Sequence, residues 1–298
     1  QNYRGSIRVG GAEISSYPIQ DYAKLMGVVS TSFNNSQNLI VADYLVTGFD
    51  KAISFEGTSK SFQDYYNHKV VATGLKKGTT YYYRLGSLQN DVWGDVGSFF
   101  TDNGDDSSTF IAIADVQASN YENFEAASKV MGAAVKTFPK AELVLNMGDF
   151  VNDCTNEEWQ YYSQNFGKYN NKLTLAPVAG NHDGLGVEYW FNNMFNLDTS
   201  ESVQIKDGVN YSFDYGNAHF AVLNTNDVLS ISIPQLTWLK NDMNSTDKDW
   251  KIVFLHKSPY SLGKDAKWPD ALYLQESLTK VLDACDVDLV MGGHDHQY

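Results

Sequence analysis

The sequence predicts two domains, a β-sandwich followed by a layered α/β domain with a mixed, largely parallel sheet at its core. Three observations carry this. The chain has 298 residues, against roughly 100–200 residues for one domain. A polar, glycine-containing run, Thr101-Asp-Asn-Gly-Asp-Asp-Ser-Ser108, reads as a linker. Before it, strand-like segments alternate with turns; after it, short apolar runs alternate with helical patterns. The expected boundaries are 1–104 and 105–298.

In the first domain, Leu39–Val46 and His68–Ala72 read as strands. Thr73-Gly-Leu-Lys-Lys-Gly-Thr-Thr-Tyr-Tyr-Tyr-Arg-Leu-Gly86 places a turn before a strand that begins near Tyr81. A tyrosine at that corner can fold its hydroxyl back onto the preceding turn. The segment looks like a fibronectin-III-type sandwich, with an unrelated antiparallel β domain as the alternative. No cluster of His, Cys or carboxylates precedes residue 107, so no chemistry is expected there and any partner of this domain stays unidentified.

The second domain alternates strand and helix. Thr109–Ala114 is a strand, Tyr121–Phe138 a helix, and Glu142–Met147 and Leu173–Ala179 are further strands. His219–Leu223 and Trp250–Leu255 flank a helix at Pro234–Met243, and a helix near Leu272–Ala284 precedes a strand at Val287–Met291. At five strand ends a polar group follows within a residue or two: Asp115-Val-Gln117, Gly148-Asp149, Gly180-Asn181-His182-Asp183, His256, and His294-Asp-His296. Ligands of open α/β sheets gather beyond the carboxyl ends of the strands. Singly, each has an ordinary explanation: a Gly-Asp turn, an Asx turn, a core histidine. Yet four of the six histidines lie at these ends, which core packing does not account for.

The ordered set D-x-[HQ], G-D, G-N-H-D, H and G-H-x-H resembles the calcineurin-like metallophosphoesterase superfamily. With a β-sandwich in front, the chain resembles the purple acid phosphatases, over nearly its whole length. The resemblance implies a dinuclear phosphohydrolase that cleaves phosphomonoesters by attack of a metal-bound hydroxide. Two ions about 3.5–4 Å apart would be divalent or of mixed valence: Mn, Fe or Zn, with Mg open. By resemblance Asp149 bridges them. Asp115, Gln117 and His296 complete one shell, and Asn181, His256 and His294 the other. His182 would be the catalytic, non-ligand histidine, and Asp183 either its orienter or a turn residue. A phosphodiesterase or nucleotide diphosphatase is the alternative enzyme; a non-catalytic extracellular binding module with a degenerate metal site is the alternative class.

Two positions depart from the family. Purple acid phosphatases carry a tyrosine three residues after the bridging aspartate, where this chain has Asn152, so no tyrosinate chromophore is expected. Related phosphatases place an aspartate there; Asn152 could only hydrogen-bond the catalytic histidine. Gln117 replaces the usual histidine of the first motif and tilts that shell towards harder ions. The family also continues beyond G-H-x-H, so truncation after Tyr298 is expected. Tyr189, Trp190, Phe191 and Tyr260 could line a pocket or anchor an insertion. Lys257 could meet a phosphate or be a solvated surface residue.

Composition narrows the classes further. Residues 1–106 hold 9 basic against 11 acidic side chains, whereas 107–298 hold 13 against 25, for a net charge of −14. Such acidity disfavours a nucleic-acid scaffold, and no apolar stretch is long enough to span a membrane. The expected partner is a small phosphoester. The start at Gln1 without a leader suggests a secreted or cell-envelope protein. Cys154 falls at the metal end of its strand and Cys285 at the opposite end of the sheet, too far apart for a disulfide.

Overall fold

The computed structural model describes residues 8–9, 12–13, 41–46, 52–62, 65–87, 92–184, 190–197, 209–226, 233–261 and 263–296. The chain divides into two compact units, Gln1–Thr101 with Phe166–Leu173, and Asp102–Asn165 with Thr174–Tyr298.

The described strands of the first unit are all antiparallel. β1 (Arg8–Val9) pairs β2 (Ala12–Glu13). The main sheet contains β3 (Val41–Val46) and β4 (Ala52–Glu56), while β5 (Thr58–Phe62) and β6 (Tyr65–Lys69) form a hairpin apart from it. β7 (Thr80–Ser87) is the centre of the main sheet, pairing with β3, β8 (Val92–Trp93) and β9 (Gly97–Phe100). Tyr81 is 3% exposed, and its hydroxyl accepts the backbone N–H of Lys76 at 2.8 Å. This is the tyrosine corner expected from sequence. The strand expected at His68–Ala72 is corrected to Tyr65–Lys69. Its ladder ends at the Thr58–Lys69 pair, because β5 has no residues left to partner Val70 onwards. Leu39, expected to open a strand, lies outside the described residues; the strand described there is Val41–Val46.

The second unit begins with a parallel three-stranded sheet, β10 (Phe110–Ile113), β11 (Leu143–Asn146) and β12 (Thr174–Pro177). The crossovers are α1 (Tyr121–Thr137) and α2 (Asn156–Asn170). Asn120 caps α1 by accepting the Asn123 N–H at 3.0 Å. Thr155 and Glu158 form a capping box before α2: Thr155 Oγ1 accepts the Glu158 N–H and the Glu158 carboxylate accepts the Thr155 N–H. After the short α3 (Trp190–Met194) comes a second sheet, β13 (Tyr211–Tyr215), β14 (Ala218–Val222), β15 (Trp250–Lys257) and β16 (Leu289–Gly293). Only the β13–β14 pair is antiparallel. α4 (Ile233–Ser245) precedes β15, and α5 (Pro269–Ala284) precedes β16.

The parallel core is therefore two sheets rather than one. A shared cluster fills the space between them, with Leu143, Leu145 and Ala176 from one sheet and Phe220, Val222 and Phe254 from the other. Phe220 stacks on Phe254 with centroids 5.7 Å apart. The far face of the second sheet, with Ala221, Val253 and Leu255, packs on Leu239, Leu274 and Leu278 of α4 and α5. Both faces of β14 and β15 are buried, as parallel strands require. No helix among the described residues is long and apolar enough to cross a membrane.

At the start of β14, away from the ligand-bearing ends, His219 bridges two strands and a helix. Its Nδ1 lies 2.7 Å from Asp214 and its Nε2 2.8 Å from Asp242, with Lys248 3.9 Å from Asp214. Burial pulls this imidazole down, but the bonds and charges of Asp242 and Asp214 outweigh it and hold it above 6.5. A group whose folded value is raised stabilises the fold below its unfolded value, and that stability is lost as pH rises through the folded one. His219→Gln is expected to destabilise the protein at about pH 5.5 and progressively less above about pH 6.5. Urea midpoints across that range would measure it; a pH-independent difference would refute the ion pairs.

Candidate metal centre

Strand register brings the candidate ligands together. Ile113, Asn146 and Pro177 align across the first sheet, so Asp115, Asp149 and Asn181 leave adjacent strands two, three and four residues later. In the second sheet Phe254 aligns with Met291, but Lys257 aligns with Gly293. One extra residue therefore sits on β15 between Phe254 and Lys257, a bulge that re-aims His256. His256 lies within the strand, not after it as the sequence suggested, because β15 continues to Lys257.

Two ligand groups result. One polar atom each from Asp149, His256 and His294 lie within 4.8 Å of one another, and so do those of Asp115, Asp149 and His296. Asp149 belongs to both. It is 1% exposed and His256 0%, whereas His296 and Asn181 are exposed, so the centre opens to solvent on one side. His256 Nδ1 donates to the Met147 carbonyl at 2.8 Å. This fixes the tautomer and points Nε2 inward, 3.0 Å from Asn181 Oδ1 and 3.2 Å from Asp149 Oδ2. Facing lone pairs on carboxylate, amide and imidazole, without a thiolate, suit hard or borderline divalent ions. The residues present thus fit a metal pair. Gln117 sits beside Asp149 through its backbone N–H, which donates to the Asp149 carbonyl at 2.8 Å.

The electrostatics follow from burial and from this crowding. Burial pushes the Asp115 carboxyl above its ordinary value despite His256 and the His294 N–H. Burial also pushes Asp149 up, but His256 and the His182 N–H outweigh it and hold it below the ordinary value. His256 is pulled down by burial and raised more strongly by Asp149.

The loops adopt costly backbone conformations. Among described non-glycine residues, Asp115, Gln117, Asp149, His294 and His296 all have positive φ, between 37° and 75°. Such geometry costs of order 1–3 kcal/mol per residue and persists only where the surroundings impose it. Gly180 is required by close approach, since a Cβ there would lie 2.1 Å from the Asp149 nitrogen.

His182 donates its backbone N–H to Asp149 Oδ1 at 2.9 Å. Its Nδ1 lies 2.5 Å from the carbonyl oxygen of Asn152. The hydrogen bond expected from Asn152 is therefore made by main chain, and the residue's identity does not decide it. Asp183 is more than a turn residue, and the hydrogen bonds of its carboxylate go to main chain. It is fully buried, and its carboxylate accepts N–H groups from Gly180 (2.7 Å), Asp149 (2.9 Å), Phe150 (2.7 Å) and Val151 (3.4 Å). Burial and the Asp149 charge push its carboxyl up to about 7, against those amide bonds. The sequence signal for this clamp was only the G-N-H-D motif itself.

Other expectations are revised. Trp190 and Phe191 are 6% and 0% exposed, so they anchor the core, whereas Tyr260 is 69% exposed; Tyr189 lies outside the described residues. Lys257 is neither free for phosphate nor solvated, because its ammonium pairs with Asp270 at 2.7 Å and both side chains are largely buried. Cys154 and Cys285 are not joined by a disulfide, and Cys154 Sγ accepts the Trp159 indole N–H at 3.4 Å.

Residues 108–298 match the family described as Calcineurin-like phosphoesterase, and residues 29–101 match Purple acid Phosphatase, N-terminal domain. Purple acid phosphatase 15 of Arabidopsis thaliana is 24% identical over 266 residues, 78% of this chain and 48% of that protein. Purple acid phosphatase 21 of the same plant is 24% identical over 272 residues, 84% and 57% respectively. Purple acid phosphatase PPD1 from yellow lupin (Lupinus luteus) seeds shares the fold, with a TM-score of 0.75 at 16% identity over 88% of this chain and 55% of that one. The chain spans about half the length of the curated relatives it matches.

The Asp183 clamp makes a direct prediction. Asp183→Ala leaves four backbone amides without their acceptor, each costing about 1–3 kcal/mol where buried. The variant should lose at least about 3 kcal/mol of stability, by urea unfolding, and bind less metal, by elemental analysis. Asp183→Asn, which keeps one carbonyl oxygen, should fall between. Wild-type stability and metal content in the alanine variant would refute the clamp.

Proposed function

The chain belongs to the calcineurin-like phosphoesterase family, and from that footing we propose that it hydrolyses phosphate monoesters at a two-metal centre. The observation that carries the reading is Asp149, whose carboxylate is shared by both ligand groups. Asp115, Gln117 and His296 would hold one ion beside it; Asn181, His256 and His294 would hold the other. A bound pair of Mn, Zn, Fe or Mg ions supplies an activated water as nucleophile and positive charge for the phosphoryl oxygens.

The chain's own residues do the rest. Asp149 and Asp115 bring negative charge that draws cations into an otherwise acidic protein, so the pocket attracts phosphate while the surface repels polyanions. Asp115 also accepts the His294 backbone N–H at 2.8 Å, fixing the ligand loop after β16. His182 Nδ1 donates to the Asn152 carbonyl, which orients the ring; in the imidazolium form Nε2 also carries a proton, and that is the one it would hand to the departing oxygen. The same side chain is tethered through its own backbone to Asp149, so the acid and the shared ligand move as one. Asn152 offers no phenolate at the position where the family carries its tyrosine, so the purple colour of a tyrosinate bound to iron from that position is not expected.

The test is metal analysis of the purified full chain with assays on a monoester and a diester under Mn, Zn and Fe. Two bound ions and faster monoester cleavage are expected. Asp149→Ala should lose both metal and activity. His182→Ala should keep its metal and lose about 10²–10⁴-fold in kcat. A diester preference would move the reading to phosphodiesterase; absence of metal and of hydrolysis would leave the non-catalytic module.

A further inference from the structure

β14 ends at Val222, and the residues that follow, Leu223 to Asn226, leave the second sheet at its ligand-bearing end. They contain none of the candidate ligands, yet two of their side chains grip the segments that do. Thr225 is fully buried, and its Oγ1 accepts the N–H of Lys257, the residue after His256, at 2.8 Å. The last β14–β15 pair is Val222 with Phe254, so a hydroxyl takes this N–H where the ladder has run out. Asn226 Nδ2 donates to the carbonyl of Ala179, two residues before Asn181, at 2.6 Å. Ala179 is itself 1% exposed.

The loop is held in turn. Gln235 of α4, also buried, closes two bonds on the main chain of Asn224: its Oε1 accepts the N–H at 3.0 Å and its Nε2 donates to the carbonyl at 3.1 Å. Asn224 Oδ1 then accepts both the N–H and the Nδ2 of Asn226, each at 3.2 Å. Every group from α4 to Ala179 is neutral, so bond direction sets the geometry. Buried amides without partners are costly, which favours this one arrangement. Asn181 and His256 come from different sheets, with Asn181 Oδ1 3.0 Å from His256 Nε2. Asp183 ties loops of the first sheet only, whereas Thr225 and Asn226 span the two. Among the described residues, neither side chain bonds the segments of Asp115, Gln117 or His296. We infer that Thr225 and Asn226 are positioning residues for the ion held by Asn181, His256 and His294. They fix the separation of donors drawn from two sheets without touching the ion. This rests on the two-metal reading above and adds which supports govern one ion and not the other.

The test is calorimetric titration of Mn²⁺ into the full chain stripped with a chelator. Thr225→Val keeps the side chain's shape and removes the acceptor; Asn226→Ala removes the donor. In a His296→Ala background, which leaves the Asn181, His256 and His294 shell intact, each should weaken the remaining ion by about 10–100-fold. In a His256→Ala background, which leaves the Asp115, Gln117 and His296 shell, neither should weaken it further. Thr225→Ser keeps the hydroxyl and should recover most of the loss. In the otherwise wild-type chain, dialysis should leave each weakened variant with one ion in place of two, by elemental analysis. Equal weakening in both backgrounds, or a loss that follows the urea midpoint and not the shell, would make the loop general scaffolding and overturn the inference. Unchanged affinity in both variants would overturn it as well. A wild-type chain that takes up no ion would instead remove the two-metal reading itself.

Discussion

The arrangement depends on one buried carboxylate. Asp183 gathers the N–H groups of Gly180, Asp149, Phe150 and Val151, and so ties the loop after β12 to the loop after β11. Without that acceptor the two turns would present unpaired amides to each other in a place water does not easily reach. With it, Asp149 is held by its backbone on one side while its side chain faces His256 and His182 on the other. The asparagine and histidine of the same short loop are placed as a by-product, because the aspartate that ends the motif fixes its start.

Positive φ at five candidate ligands fits the same picture. Such backbones are uncommon because they cost free energy, and among the described non-glycine residues five of the seven fall at candidate ligands, Cys154 and Asp286 being the others. The cost is met by packing away from the centre: the cluster between the sheets, the aromatic stack of Phe213, Phe220 and Phe254, and the helices behind β14 and β15. Function and stability are thus separated along each strand. The middle residues bury apolar surface, and the last residues spend part of what that burial contributes.

The candidate residues that converge were legible because they need only local information: a short apolar run gives a strand, and the polar residue after it gives a donor. Asp115, Asp149, Asn181 and the histidines are all read that way. Asp183 was not, because three of the N–H groups that donate to it lie some 33 residues earlier in sequence and nothing local says the two turns touch. Lys257 with Asp270, and His219 with Asp242, are long-range pairs of the same kind. Strand limits failed where a partner sets them, as at Lys69, where the ladder runs out, and at His256, where β15 outlasts its apolar run. The division of one expected sheet into two was hidden as well, since periodicity identifies strands but not which of them share hydrogen bonds.

The two-sheet architecture has a mechanical consequence. Asp115, Asp149 and Asn181 belong to the first sheet, and His256, His294 and His296 to the second, so an ion bound between them is a rivet through both layers. Loading would therefore tie the two layers together at that end, while the exposed side of the centre, at Asn181 and His296, would leave the ions open to a chelator.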